Sequence, residues 1–110
     1  MTKRTEALLP FGEVFDAAAE ACVTWGPSAQ ATMIVEEFGE FLTTFARLSR
    51  GRATPEDVVS EAADVIIVLG SAMALLGRDG NATLAELAEA IDQKLARLRQ
   101  RLADAQMEAP

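Results

Sequence analysis

The chain contains no histidine and a single cysteine, Cys22. Without histidine, Ser-His-Asp and Cys-His nucleophilic catalysis are excluded. So are zinc sites built from cysteine and histidine, and the His-containing di-iron pattern of carboxylate bundles. One cysteine cannot form a disulfide within the chain. Strict apolar–polar alternation, the mark of a half-buried strand, is missing throughout, as are internal repeats and low-complexity segments. The opening MTKRTEALLPFGEVF starts basic but has no apolar run long enough for a secretory signal. Val65 to Gly77 is very apolar, yet shorter than the roughly 20 residues of a membrane span, and Asp64 borders it. A buried helix in a cytoplasmic protein with no membrane partner is the expectation. Basic residues are also scarce, 10 against 17 acidic, for a net charge of −7. That balance argues against broad binding to nucleic acid through counterion release. It leaves room for a small phosphorylated ligand held through a metal.

What is present is apolar and helical. Half of the 110 residues are hydrophobic, which suits one domain over 1–110 with an ordered core of about 12–105. A domain of that size buries modest surface, and oligomerisation would help it. A first helix is expected from about Gly12 to Thr24, with Val14, Phe15, Ala18 and Cys22 facing inward. Trp25-Gly26-Pro27 breaks it. Ser28 can cap a second helix running to about Arg50, with Gly51 closing it and Ile34, Phe38, Phe41, Phe45 and Leu48 as its stripe. Thr54 caps a third, Pro55 takes its first position, the acids of its first turn favour the dipole, and Gly77 ends it. Arg78 to Ala82 reads as a turn, and Thr83 to Glu86 as the capping box of a fourth helix with its stripe at Leu84, Leu87, Ile91, Leu95, Leu98 and Leu102. The tail from about Gln106 should fray. Cys22, Met33 and Met73 read as core. The fold class is therefore all-α, a four-helix arrangement.

Five carboxylates stand in the most apolar part of this pattern: Glu36, Glu37 and Glu40 in IVEEFGEF, and Glu61 and Asp64 in EAADVIIVL. Residues three or four apart on a helix are neighbours, and at those offsets none of the five meets a Lys or Arg. Clustered anions near apolar surface repel one another and lose hydration. A solvated acidic face is the commoner fate of any single helical Glu. Here, however, Glu37 and Glu40 share one side of the second helix, and Glu61 and Asp64 repeat that spacing on the third. A short loop makes the two helices antiparallel neighbours. Four carboxylates converging from two helices form a hard oxygen cage suited to Mg²⁺, or to Mn²⁺ in its place.

The pattern Glu36-Glu37-x-x-Glu40, twenty residues, then Glu61-x-x-Asp64 resembles the signature of the all-α nucleoside triphosphate pyrophosphohydrolases, most closely the short MazG-like branch. Gln30, the EAADVIIVL block and Gln93-Lys94-Leu95-x-x-Leu98 also look like that branch, so the resemblance spans about Trp25 to Leu102. It implies a helical bundle working as a homodimer or homotetramer. It also implies Mg²⁺-dependent hydrolysis of a ribo- or deoxyribonucleoside triphosphate to the monophosphate and pyrophosphate. Carried over by motif position, Glu37, Glu40, Glu61 and Asp64 become metal ligands, and Glu36 a further ligand or the group that orients the attacking water. Glu36 and Glu37 are thus the catalytic candidates. Lys94 matches a lysine usual in the family. Arg97 and Arg101 follow on the same helical face and join it as candidates for phosphate contacts, although a basic face near a helix C-terminus is also favoured by the dipole. Longer members often carry an Asn near the position of Leu98, so their base or sugar contacts do not transfer.

Two further residues belong to the substrate-binding candidates. Trp25 could stack on a base, although a lone tryptophan at a helix–loop junction more often packs. Gln30 lies on the flank of Glu37 two turns earlier, placed either to hydrogen-bond a ligand or to stand as a surface amide. Two rival functions remain. Phosphoribosyl-ATP pyrophosphohydrolase would use the same cage, but the Lys usual before its first Glu pair and the His after its Asp are missing here. A non-catalytic acidic helical interaction protein would pair its carboxylates with Lys or Arg one turn away, which this chain does not do.

Overall fold

The computed structural model describes residues 10–77 and 79–108. Among them are four helices and no strand: α1 (Phe11–Trp25), α2 (Pro27–Leu48), α3 (Pro55–Ala74) and α4 (Gly80–Glu108). The all-α class expected from the sequence is the class observed. No helix among the described residues is long and apolar enough to cross a membrane. The basic stretch before Pro10, and Arg78 of the expected turn, lie outside the described residues. By internal contacts the chain divides into two compact units, Met1–Gly80 and Asn81–Pro110.

One residue both ends α1 and starts α2. The N–H of Gly26 donates to the Cys22 carbonyl, and the Gly26 carbonyl accepts from the Gln30 N–H. Its φ of 89° is a conformation that glycine adopts without steric cost. Pro27 follows at the first helical position, where its missing N–H matters least. The cap expected at Ser28 is therefore not made: the helix has already begun, and the Ser28 carbonyl accepts from the Thr32 hydroxyl.

The other ends mostly follow the sequence. Arg52 N–H reaches the Arg47 carbonyl at 2.9 Å and Gly51 N–H the Leu48 carbonyl at 3.1 Å, the paired bonds of a Schellman closure around Gly51. At the start of α3 the Thr54 hydroxyl accepts from Asp57 N–H at 3.2 Å, and the Asp57 carboxylate accepts from Thr54 N–H at 2.9 Å. Helix α4 departs from expectation at both ends. It begins at Gly80, just after Asp79, a residue type favoured ahead of a helix. Thr83 consequently lies inside the first turn, buried, with no partner for its hydroxyl, and makes no capping box. At the other end α4 continues past Gln106 to Glu108, with Gln100 donating to Asp104 one turn on at 2.9 Å.

Within the first unit α3 is the central helix, packed on both α1 and α2. Phe15 and Ala18 of α1 and Val68 of α3 are its buried apolar residues. The Cys22 thiol is half-buried and donates to the Ser71 carbonyl at 3.8 Å. Met73 is half-buried, but Met33, expected in the core, is 45% exposed. Phe38 and Phe45 of the α2 stripe are exposed as well. The reason is geometric: α2 has α3 along one side and only a short meeting with α1, too little to cover a stripe of that width.

The approach of α1 to α3 depends on Gly70. A Cβ placed there would lie 3.2 Å from the Ala18 Cβ, 3.2 Å from the Val14 Cγ1 and 3.4 Å from the Val14 carbonyl oxygen. Gly70→Val should force the helices apart and cost about 1–3 kcal/mol, the usual range for overpacking. Urea unfolding measures this directly; an unchanged midpoint would mean that the close approach does not exist in solution.

Candidate functional site

Helices α2 and α3 run antiparallel across their six-residue connection. Thr44 and Arg47 share a cleft with Asp57, Ser60 and Glu61, while Glu37, earlier on α2, meets Glu61 and Asp64, farther along α3. This register sets the acids against each other. Glu37, Glu61 and Asp64 each present a carboxylate oxygen, and the three oxygens all lie within 4.8 Å of one another. Oxygens around a common Mg²⁺ at about 2.1 Å lie within about 4.2 Å of each other, so small side-chain rotations would close the set.

The chemistry of the set matches its geometry. Glu37 and Glu61 are half-buried, and on each the Oε2 atom is buried with no hydrogen-bond partner. A buried acceptor left unpaired is costly, and a cation between them is one partner that would satisfy both. The Glu37 carboxyl is held above its ordinary range. Loss of hydration is the largest cause, followed by the charges of Glu40, Asp64 and Glu61 and a hydrogen bond shared with Glu40. No cation appears among these influences.

Because Glu37 takes up its proton at higher pH in the fold than in the unfolded chain, its contribution to stability is fully present below the unfolded value. It is lost as pH rises through the folded value. The metal-free protein should therefore gain thermal stability as pH falls from neutral towards the ordinary carboxylate range, and Glu37→Gln should flatten that slope. Melting curves across pH for both proteins check this; parallel slopes would rule it out.

The remaining expected residues take different places. Glu40 couples to Glu37 from one turn away, and Glu36 lines an adjoining 550 Å³ cleft together with Glu40, Arg47 and Glu61. Both Glu36 and Glu40 are exposed. Gln30 is buried, 2% exposed, and so is no surface amide. Trp25 is 66% exposed at the end of α1, where packing does not hold it as the sequence suggested. Lys94, Arg97 and Arg101 lie exposed on α4, in the second unit.

Sequence reasoning missed Arg47 and Arg52. Both line a 220 Å³ cleft that also contains Thr44 and Glu61. The signal for Arg47 was its seven-residue spacing from Glu40, which returns to the same side of a helix after two turns. Arg52 lies beyond the helix, and only the Gly51 turn brings it back. No family model, curated protein or solved structure matches the chain.

Proposed function

We propose that the protein is a metal-dependent nucleotide pyrophosphohydrolase, cleaving a ribo- or deoxyribonucleoside triphosphate to the monophosphate and pyrophosphate. The observation that carries the reading is the trio Glu37, Glu61 and Asp64, with its two buried, unpaired oxygens. The resemblance of the paired acidic motifs to the MazG-like branch supplies the reaction.

Glu37, Glu61 and Asp64 would hold Mg²⁺, with Mn²⁺ as a substitute, and Glu40, beside Glu37 but outside the trio, would add charge to the site. A bound Mg²⁺ supplies the positive charge that lets a polyphosphate approach these carboxylates and that stabilises the departing pyrophosphate. The chain's own residues then divide the remaining work. Glu61 and Asp64, fixed on the body of α3, set where the phosphates lie. Glu36, exposed in the adjoining cleft, would orient a water and take its proton as that oxygen bonds to the α-phosphorus. The bond from that phosphorus to the bridging oxygen breaks, and pyrophosphate leaves with the electron pair.

The exposed apolar residues fit a homodimer or homotetramer. Phe45 of α2 is 57% exposed, and Ile91, Leu95, Leu98 and Leu102 form an exposed stripe on α4. Sedimentation at micromolar concentration should give a species of at least twice 11.8 kDa; a monomer would count against this. The deciding experiment is a panel of ribo- and deoxyribonucleoside triphosphates with Mg²⁺, assayed for product. Pyrophosphate and monophosphate are expected from at least one member. Orthophosphate alone, or no turnover with any, would reject the reaction.

A further inference from the structure

The carboxylate site is strongly anionic and its proposed substrate is a polyanion. An ion offsets part of that charge, but phosphate oxygens away from the ion still need donors. Ten basic residues are available in the whole chain. Among the described residues of the first unit they reduce to Arg47, Arg50 and Arg52. Two of these three, Arg47 and Arg52, line one 220 Å³ cleft, which also contains Glu61 of the carboxylate trio. Arg47 and Glu61 recur in the adjoining 550 Å³ cleft beside Glu36 and Glu40. The arginines and the carboxylates thus border one continuous surface along the α2–α3 seam.

The local structure fixes that arrangement. The Arg47 carbonyl accepts the Arg52 N–H, so the Schellman closure of α2 ties the two arginine backbones together. Gly51, at φ 69°, lets the chain reverse between them. Asp57, which lines the same cleft, has a carboxylate oxygen occupied by the Thr54 N–H, which restrains it from competing for the guanidinium groups. Guanidinium presents a planar fork of donors that matches phosphate oxygens two at a time.

Resting on the pyrophosphohydrolase reading, we infer that Arg47 and Arg52 form the phosphate-binding end of the site, taking the terminal phosphates of a metal-complexed polyphosphate beside Glu61. They are substrate-binding residues and touch no reacting bond.

The test uses the full chain and two titrations. The first is Mn²⁺ alone, followed by its paramagnetic signal, which reads the carboxylates. The second is inorganic tripolyphosphate in excess Mg²⁺, followed by calorimetry, which reads the phosphate end. Wild type, Arg47→Gln, Arg52→Gln and Lys94→Gln are compared. Mn²⁺ should bind all four alike. Tripolyphosphate affinity should fall roughly tenfold or more in each arginine variant, the scale of a lost hydrogen bond to a charged group, and by less in Lys94→Gln. Unchanged affinity in the arginine variants, or a larger loss from Lys94→Gln, overturns the assignment while Mn²⁺ binding leaves the carboxylate site standing. Failure of Mn²⁺ to bind the wild type overturns the carboxylate site and the assignment with it.

Discussion

Mg²⁺ at a hundredfold excess over its dissociation constant should stabilise the protein by about 2.7 kcal/mol, because the folded chain assembles the ligands and the unfolded chain does not. For a domain of this length each kcal/mol moves the melting temperature by roughly 4–8 °C, so a shift of at least about 10 °C is expected. Glu37→Gln should act with opposite signs in the two states. Without metal it removes a carboxyl whose charged form burial and three neighbouring acids disfavour, and it should raise the melting temperature at neutral pH. With metal it removes a ligand and should erase most of the increment. A solvated acidic face would show neither effect, so a melt that ignores millimolar Mg²⁺ in the wild type would dispose of the site. The increment should also shrink on acidification, as protons compete for the same oxygens.

Asp64→Asn should abolish turnover in the pyrophosphate assay. Asparagine keeps the shape of the side chain and leaves α3 intact, but it removes one of the three carboxylates that come together. Loss of a single electrostatic group at a reacting centre commonly costs roughly 10²–10³-fold, and a ligand should cost at least that. Far-ultraviolet circular dichroism should match the wild type, separating chemistry from folding. Turnover within a few fold of the wild type would remove Asp64 from the site.

The helix pattern was legible because its signals are local. Thr54-Pro55-x-Asp57 forms the capping box that its residue types dictate, and Gly51 and Gly77 both take the positive φ that suits a helix end. The start of α2 was misread because Ser28 is a good cap by type, while Gly26 needs no side chain to turn the corner. The start of α4 was misread because Thr83-x-x-Glu86 imitates a capping box within a helix already under way. The acids were legible from their missing cations at one-turn spacing, and three of the five do meet. Arg47 and Arg52 escaped because their approach to Glu61 is set by the α2–α3 register, a tertiary fact. The exposure of Met33 and Phe45 escaped for a related reason: periodicity tells which face is apolar, but not whether anything covers it.

Glu37 lies inside α2, and Glu61 and Asp64 inside α3, each at least six residues from a helix end. Their backbone positions are therefore fixed by hydrogen bonds on either side whether or not an ion is present. Binding of an ion would then need side-chain rotation and exchange of the ion's own water, but no refolding of the backbone. Amide protons of both helices should stay protected in the metal-free protein.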